Sequence, residues 1–188
     1  MTILTKNDLL QVRLGASEQE VRAFSNKKNQ MFEARRNRNP TVFLSHSHHD
    51  KEQIEKALVL LNKLGVDVYV DWLDEGMPDV PNGETARKIK DKIKENRKFV
   101  VLATNKAITS KWVNWELGYG DADKYIENIS IIPIAENDGN WIGNEYLQIY
   151  PRVEKESSYN YYKQVWDTIY TVIYPNGKKI MLKDWLTN

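Results

Sequence analysis

Short apolar runs alternate with helix-like segments between residues 41 and 134, and this alternation constrains the fold more than any other feature of the sequence. The runs have the length and β-branched composition of buried strands, and they cover residues 41–45, 66–70, 99–103 and 129–134. Between them, apolar residues recur at helical spacing over residues 50–64, 84–97 and 110–126. We therefore predict an α/β fold, in which helices flank a flavodoxin-like parallel sheet with the strand order 2-1-3-4-5.

The two ends of the chain differ from this alternating part. Residues 1–39 are polar and helix-prone, which predicts an N-terminal extension of one or two amphipathic helices. Residues 158–188 carry apolar side chains at helical spacing, namely Tyr162, Val165, Trp166, Ile169 and Ile173. The predicted organisation is thus a helical extension over 1–39, a domain over 40–157, and a C-terminal helix and tail over 158–188 that pack on the domain.

The composition argues against several classes of protein. Lysine and arginine number 27 against 26 acidic residues, so the chain lacks the positive excess of a nucleic-acid or membrane-surface binder. It has no cysteine, which excludes disulfides, thiolate nucleophiles and cysteine-bound metals. No apolar run approaches the roughly 20 residues of a membrane span, and the first ten residues lack the apolar stretch of a signal peptide. We expect a cytoplasmic protein without a nucleic-acid or membrane partner.

The segment after the first strand contains all three histidines, and three interpretations of it are open. The run from His46 to Asp50 resembles a metal cradle, but no histidine or cysteine elsewhere could complete the ligand set, so we expect no metal. It is also compatible with a plain loop that has Asp50 near a helix start. We favour a turn in which Ser45, Ser47 and the backbone amides around them face a phosphate group at a helix N-terminus.

A second motif lies at the start of the predicted helix over 110–126. There Trp112 and Glu116 are four residues apart, hence neighbours on one helix face. The ordinary interpretation is a core-facing tryptophan beside a solvated glutamate. However, the helix has a separate apolar stripe, formed by Trp115, Tyr119 and Ala122. We therefore expect Trp112 and Glu116 to face the crevice at the carboxyl ends of the strands, where an aromatic ring beside a carboxylate suits a cationic planar group on a sugar.

Taken together, these motifs resemble the TIR (Toll/interleukin receptor) domain, specifically the bacterial, NAD-cleaving kind found in Thoeris-like antiphage systems. The resemblance covers about residues 41–157. The matching segments are the first box at 41–47, the second strand and BB loop at 68–72 and 76–83, the S-x-W-x-x-x-E-L signature at 110–117, and the fourth strand at 131–134. Val113 stands where the family usually has a cysteine.

The resemblance implies cleavage of the bond between nicotinamide and ribose in NAD⁺, which would be a substrate, with no cofactor required. The nicotinamide ring is cationic and departs neutral, so the reaction needs stabilisation of an oxocarbenium-like ribose more than a general acid. Glu116 is the implied catalytic residue. The implied substrate-binding residues are Trp112 for ring stacking, Ser45, His46, Ser47 and Gly83 for the pyrophosphate, and Asp71 and Trp72 for the ribose pocket.

The resemblance leaves the product and the mode of action open. Capture of the ribosyl intermediate by water gives ADP-ribose, whereas capture by a group of the same molecule gives a cyclic product. Family members self-associate through the BB loop, and a stand-alone bacterial member is expected to make a nucleotide signal for a separate effector in antiviral defence. The alternative is a non-catalytic TIR adaptor that acts only by TIR–TIR association.

Overall fold

The computed structural model of the chain describes residues 2–18, 41–74 and 82–188, and its centre is one eight-stranded sheet. The strands are β1 (Leu4–Thr5), β2 (Thr41–Ser45), β3 (Asp67–Tyr69), β4 (Lys98–Thr104), β5 (Ile129–Ala135), β6 (Arg152–Asn160), β7 (Val165–Ile173) and β8 (Lys179–Met181). The α-helices are α1 (Lys6–Leu14), α2 (Lys51–Lys63), α3 (Gly83–Glu95), α4 (Asn105–Ile108), α5 (Lys111–Asp123) and α6 (Leu182–Thr187). Short 3₁₀ turns cover His48–Asp50, Asp71–Leu73, Ile126–Asn128 and Glu145–Ile149.

The strand order is β3-β2-β4-β5-β6-β7-β8, with β1 pairing beside β5. Strands β3, β2, β4 and β5 pair in parallel, which confirms the predicted arrangement of the first four strands. β6 continues the parallel pairing, and β7 and β8 then extend the sheet with antiparallel pairs. The described part of the chain is therefore a mixed, mostly parallel sheet flanked by helices.

Helices cover both faces of the sheet because alternate strand residues point to opposite sides. On one face, Val42, Leu44 and Val100 belong to a core with residues of α1, α2 and α6. On the other face, Phe43 and Phe99 stack with ring centroids 5.5 Å apart and pack with residues of α3 and α5. Ser45 shares the face of Phe43, so the alternation directs its side chain toward α5.

Pro133 lies in the middle of β5, a position that a proline normally avoids because it lacks an N–H group. The N–H of Ile131 donates to the carbonyl of Pro151 on the side of β6. Residues two apart along a strand point their N–H groups to the same side, so the nitrogen of Pro133 faces this same side. On this side, β6 pairs with β5 at Ile131, and β1 pairs with it at Ile134 and Ala135. Pro133 lies between the two paired stretches, so its missing N–H group costs no hydrogen bond of the sheet.

The C-terminal helix predicted from residue 158 onward is wrong. Residues 152–173 instead form the antiparallel hairpin of β6 and β7, and the only helix in 158–188 is the short α6. The segment VWDTIYTVI is rich in β-branched and aromatic residues, which favour strands, and pairing with β6 outweighs its helical spacing. Trp185 and the two leucines of α6 pack into the core, as expected for the tail.

The N-terminal segment is helical over α1, as predicted, and it is joined to the sheet through β1. Thr5 caps α1, and its side chain and that of Asp8 form a reciprocal capping box. Leu9 is fully buried in the core. The second predicted helix of 1–39 lies outside the described residues. Within the described ranges, no helix is long and apolar enough to cross a bilayer.

Candidate functional site

The candidate site lies at the carboxyl ends of β2, β3 and β4, where strand order reverses between β2 and β4. Parallel strands place such ends at one edge of the sheet, and this is where open α/β sheets bind ligands. Ser45 ends β2, and Asp71 begins the 3₁₀ turn two residues after β3. α5, the second helix after β4, carries Glu116 on its inner face.

Glu116 is buried and is held by Ser45. The hydroxyl of Ser45 donates a hydrogen bond of 2.5 Å to Oε2 of Glu116, and both residues are 5% exposed or less. Burial raises the pKa of Glu116 to about 8. The negative charge of Asp71 adds to this increase, whereas the hydrogen bond from Ser45 lowers the pKa. A carboxyl group in this state changes its charge close to neutral pH, which is uncommon outside functional sites.

The packing of α5 on β4 explains why Glu116 is buried. Ser110 caps the helix by accepting a hydrogen bond from the N–H of Val113. The inner face of α5 consists of Val113, Glu116, Leu117 and Gly120. Gly120 permits close approach to β4, since a Cβ atom there would lie 3.2 Å from the ring of Phe99.

The predicted apolar stripe of Trp115, Tyr119 and Ala122 is therefore not the core-facing side of α5. Ala122 is exposed, and the rings of Trp115 and Tyr119 are only partly buried. The two rings stack with centroids 6.2 Å apart, and Lys90 lies over both of them. The sequence argument that turned Glu116 toward the crevice relied on this stripe, whereas in the structure Glu116 is itself among the buried residues of α5.

Asp50 links the loops that follow β2 and β4. Its buried carboxylate accepts a short hydrogen bond from the hydroxyl of Thr104, the last residue of β4. The same hydroxyl accepts a hydrogen bond from the N–H of Ala107 and caps α4. Asp50 occupies the N-cap position of α2, but its side chain makes no capping hydrogen bond there. This carboxylate thus fixes the spacing of the two loops that border the crevice.

His46 and Asp71 meet beside Ser45. His46 is 6% exposed, and its Nδ1 lies 2.9 Å from the carbonyl oxygen of Leu44. Its Nε2 lies 3.3 Å from Oδ1 of Asp71 without forming a hydrogen bond to any described group. Burial lowers the pKa of His46, while the charge of Asp71 acts in the opposite direction. Nε2 of His48 lies 3.6 Å from Oδ2 of the same carboxylate.

Some of the backbone N–H groups in the turn after β2 donate hydrogen bonds within the turn itself. Ser47 is buried, and its hydroxyl accepts a hydrogen bond from the N–H of His49. Its carbonyl accepts another from the N–H of Asp50. Two of the amides in the predicted phosphate-facing turn are therefore already bound within the chain. A phosphate contact through the rest of this turn stays a prediction.

The other predicted substrate-binding residues are less closely joined to Glu116. Trp112 is partly buried, and its ring meets that of Trp115 edge-to-face at 5.4 Å. Gly83 is the exposed first residue of α3. The side chain of Asn82 caps this helix by accepting hydrogen bonds from the N–H groups of Glu84 and Thr85. No hydrogen bond among the described residues joins Trp112 or Gly83 to Glu116. The side chain of Trp72 and residues 75–81 of the BB loop lie outside the described part.

Sequence reasoning missed one aromatic residue at this edge of the sheet. Nε1 of Trp141 donates a hydrogen bond of 2.7 Å to the carbonyl of Ala103, near the end of β4. Gly143 leaves room for the indole, because its φ is 62° and a Cβ atom there would lie 2.9 Å from the ring of Trp141. The sequence signal is weak, since Trp141 lies in a segment with two glycines and several polar residues, which is also typical of an ordinary surface loop.

Comparison with known proteins identifies a family and similar proteins. The family described as "TIR domain" matches residues 42–166. A Bacillus cereus (strain MSX-D12) protein named "Probable 3' cyclic ADP-D-ribose synthase ThsB'" is 30% identical over 170 residues, which cover 85% of this chain and 87% of that protein. A Cytobacillus dafuensis protein named "Putative cyclic ADP-D-ribose synthase TIR2" is 29% identical over 103 residues, which cover 53% of this chain and 27% of that protein. A solved prokaryotic SEFIR domain is 20% identical, with a TM-score of 0.40, over 66% of this chain and 84% of that one.

Proposed function

Because this chain belongs to the TIR domain family, and because Glu116 is buried at the crevice where such a sheet binds ligands, we propose that it cleaves the nicotinamide–ribose bond of NAD⁺. The observation that carries the proposal is the carboxyl group of Glu116, held by Ser45 beside the end of β2. An adaptor that acts only by association has no need of a buried carboxyl group. Two relatives named as cyclic ADP-D-ribose synthases support the same reaction.

In the proposed reaction, the bond between C1′ of the ribose and the nicotinamide nitrogen breaks, and its electron pair leaves with the nicotinamide. The ring was cationic and departs neutral, so no proton has to be supplied to the leaving group. The ribose is left with oxocarbenium character. The carboxylate of Glu116 stabilises this positive charge, which is greater in the transition state than in the bound substrate.

The protonation state of Glu116 fits this role. With a pKa raised to about 8 by burial, the carboxyl group is mostly protonated at neutral pH in the free protein. A cationic nicotinamide ring that enters the crevice favours the ionised form, because an opposite charge nearby lowers the pKa of a carboxyl group. Substrate binding and ionisation of the catalytic group are thereby linked. Ser45 is a positioning residue, since its hydroxyl fixes one oxygen of the carboxyl group.

The remaining substrate contacts are proposed from the positions of the other candidate residues around the crevice. We propose that the turn of Ser45, His46 and Ser47 lies beside the pyrophosphate and that Asp71, with Trp72, borders the ribose. Trp112 is proposed to stack on a ring of the dinucleotide, and Gly83 to contribute from the BB loop side. No resident cofactor is required for this chemistry.

Self-association is part of the proposal. TIR domains associate with one another, and we propose that the BB loop, which precedes α3, makes this contact in the present chain. A nucleotide product would then act on a separate effector in antiviral defence. If association completes the site, specific activity rises with protein concentration, and light scattering of the same samples shows the oligomer.

We further propose that the product is cyclic, in keeping with the names of the two relatives. Cyclisation joins C1′ to a hydroxyl oxygen or ring nitrogen of the same molecule, which loses a proton, so no atom of water enters the product. Hydrolysis adds one water oxygen. Incubation of concentrated protein with NAD⁺ in H₂¹⁸O, followed by mass spectrometry, separates the two routes.

Free nicotinamide together with an unlabelled product, one water lighter than ADP-ribose, supports the proposal. Labelled ADP-ribose as the only product supports cleavage but contradicts cyclisation. If a self-associated sample releases no nicotinamide at all, the proposed reaction is wrong.

A further inference from the structure

His46, His48 and Asp71 bring two imidazoles and a carboxylate together at the rim of the crevice. One donor atom from each lies within 4.8 Å of the other two. We propose that these three residues form a binding site for a divalent transition-metal ion such as Zn²⁺. This inference goes beyond the proposed NAD⁺ cleavage and does not depend on it.

The hydrogen bonding of His46 supports the proposal. Its Nδ1 faces the carbonyl oxygen of Leu44 at 2.9 Å, and a carbonyl can only accept, so the ring proton belongs on Nδ1. In the neutral ring, Nε2 then carries a lone pair. That lone pair is buried, has no hydrogen-bond partner among the described residues, and faces Oδ1 of Asp71 at 3.3 Å. Two acceptors at this separation repel each other unless a proton or a metal ion lies between them.

The contact with Leu44 is also what a metal-binding histidine usually has. Such a histidine typically donates its second ring N–H to a backbone carbonyl or a carboxylate, which fixes the tautomer and the ring orientation. Here the carbonyl belongs to β2, in the centre of the sheet, so the orientation of His46 is fixed by the fold. His48 begins the 3₁₀ turn that follows and is 56% exposed in its side chain, which leaves it free to adjust to an ion.

Two of the donor separations are close to those around a small tetrahedral ion. With metal–ligand bonds of about 2.0–2.1 Å, two donor atoms on tetrahedral Zn²⁺ lie about 3.3–3.4 Å apart. Nε2 of His46 lies 3.3 Å from Oδ1 of Asp71, and Nε2 of His48 lies 3.6 Å from Oδ2 of the same carboxyl group. Imidazole ligands favour zinc and neighbouring transition metals, whereas Mg²⁺ and Ca²⁺ prefer oxygen ligands. Three protein ligands leave a fourth position for water or for an anionic oxygen of a bound ligand.

The position of the site corrects one step of the sequence reasoning. The metal cradle considered from the sequence used the carboxylate of Asp50. In the structure, that carboxylate accepts a hydrogen bond from the hydroxyl of Thr104 instead. The fold supplies Asp71 from the end of β3 in its place. That residue is 25 positions from His46 in the sequence, so no local motif could have revealed it.

The chain is well suited to a binding test. It has no cysteine and only three histidines, so a tag-free sample offers few competing ligands. We would titrate the full chain with Zn²⁺ by calorimetry, and with Co²⁺ by visible absorption, where a tetrahedral nitrogen-bound ion gives intense bands. The variants are His48→Ala and Asp71→Asn. His49→Ala is the matched control, because His49 is exposed, neighbours His48 and is not part of the cluster.

The proposal predicts one Zn²⁺ per chain for the wild type and for His49→Ala, with Co²⁺ bands in both. It predicts a loss of affinity of about tenfold or more in His48→Ala and Asp71→Asn, and no comparable binding of Mg²⁺. Absence of Zn²⁺ binding by the wild type would overturn it. So would equal affinity of wild type and His48→Ala, a variant of an exposed residue that is expected to fold.

Discussion

The hydroxyl of Ser45 donates a hydrogen bond of 2.5 Å to Oε2 of Glu116, which lies 71 residues further along the chain. This bond joins the end of the central strand β2 to the inner face of α5. It holds one oxygen of a carboxyl group in a buried position, where a negative charge is costly. Several predictions about activity and stability depend on this pair and on the packing around it.

Replacement of Ser45 by alanine removes the interaction that lowers the pKa of Glu116, so that pKa rises further. If the carboxylate is the active form, the rising limb of the pH–rate profile moves to higher pH. At pH 7.5 we expect turnover to fall by about tenfold, which corresponds to about 1.4 kcal/mol. Nicotinamide release measured between pH 6 and 10 gives the profile.

The control for this variant is Ser130→Ala, which removes another buried hydroxyl from the sheet. Ser130 donates to the carbonyl of Pro151 and does not touch Glu116. Its profile should keep the midpoint of the wild type. An unchanged midpoint in Ser45→Ala would show that the Ser45 hydroxyl does not control the ionisation of Glu116.

The raised pKa of Glu116 also predicts how stability depends on pH. The unfolded chain loses this proton near 4.5, and the folded chain keeps it to about 8. Between these values the folded state holds the additional proton, so this contribution to the free energy of unfolding decreases as pH rises through that window. Glu116→Gln removes the effect. The variant should exceed the wild type in Tm by a few degrees at pH 9, and by less at pH 5.

Scanning calorimetry of both proteins between pH 5 and pH 9 measures this difference. A Tm difference that does not change with pH would mean that Glu116 ionises in the folded protein as readily as it does in the unfolded chain.

The contact between Asp50 and Thr104 predicts a loss of stability when the hydroxyl is removed. Thr104→Val leaves the buried carboxylate of Asp50 without this donor and also uncaps α4. We expect the free energy of unfolding to fall by about 2–4 kcal/mol, as measured by urea denaturation. Thr104→Ser keeps the hydroxyl and should lose much less. Equal stability of the valine variant and the wild type would argue against a structural role for this contact.

Two glycines of α5, Gly118 and Gly120, allow the packing of that helix against the sheet to be tested by a pair of matched alanine substitutions. Apart from its chain neighbours and the backbone of its own helix, a Cβ atom at Gly118 would have no described heavy atom within 4 Å, whereas one at Gly120 would lie 3.2 Å from the ring of Phe99. Alanine in place of glycine favours a helix by about 1 kcal/mol. Gly118→Ala should therefore be stabilised.

Gly120→Ala should be destabilised, because Phe99 is fully buried and stacked on Phe43, which leaves its ring little room to move. Thermal unfolding of the two variants tests the difference. If both gain the same stability, α5 is packed less closely on β4 than the structure indicates.

The sequence predicted correctly those parts of the fold where the pattern of apolar residues is compatible with only one type of secondary structure. The runs at β2, β4 and β5 are too short and too continuously apolar for surface helices, and the helical stripes between them require parallel crossovers. The hairpin of β6 and β7 was missed because Val165, Trp166, Ile169 and Ile173 also fit a helical spacing. Only the pairing partner, which local spacing does not reveal, decides between the two.

The site was predictable to the same limited degree. The spacing of Trp112 and Glu116 identified a helix face, and the topological rule placed the end of β2 nearby. The contact of Glu116 with Ser45, and that of His46 with Asp71, join segments distant in sequence, so neither has a local signal. The inner face of α5 was misjudged because large aromatic residues at Trp115 and Tyr119 outweighed the smaller Val113 and Gly120 in the pattern.

The most direct test of the central claim is the rate of nicotinamide release from NAD⁺ by Glu116→Gln, measured under conditions in which the wild type is active. Glu55→Gln, a change of an exposed glutamate on α2, is the control. We predict that Glu116→Gln folds, self-associates like the wild type and releases no nicotinamide above background, while Glu55→Gln keeps the wild-type rate. Turnover by Glu116→Gln at the wild-type rate would contradict the assignment of Glu116 as the catalytic residue.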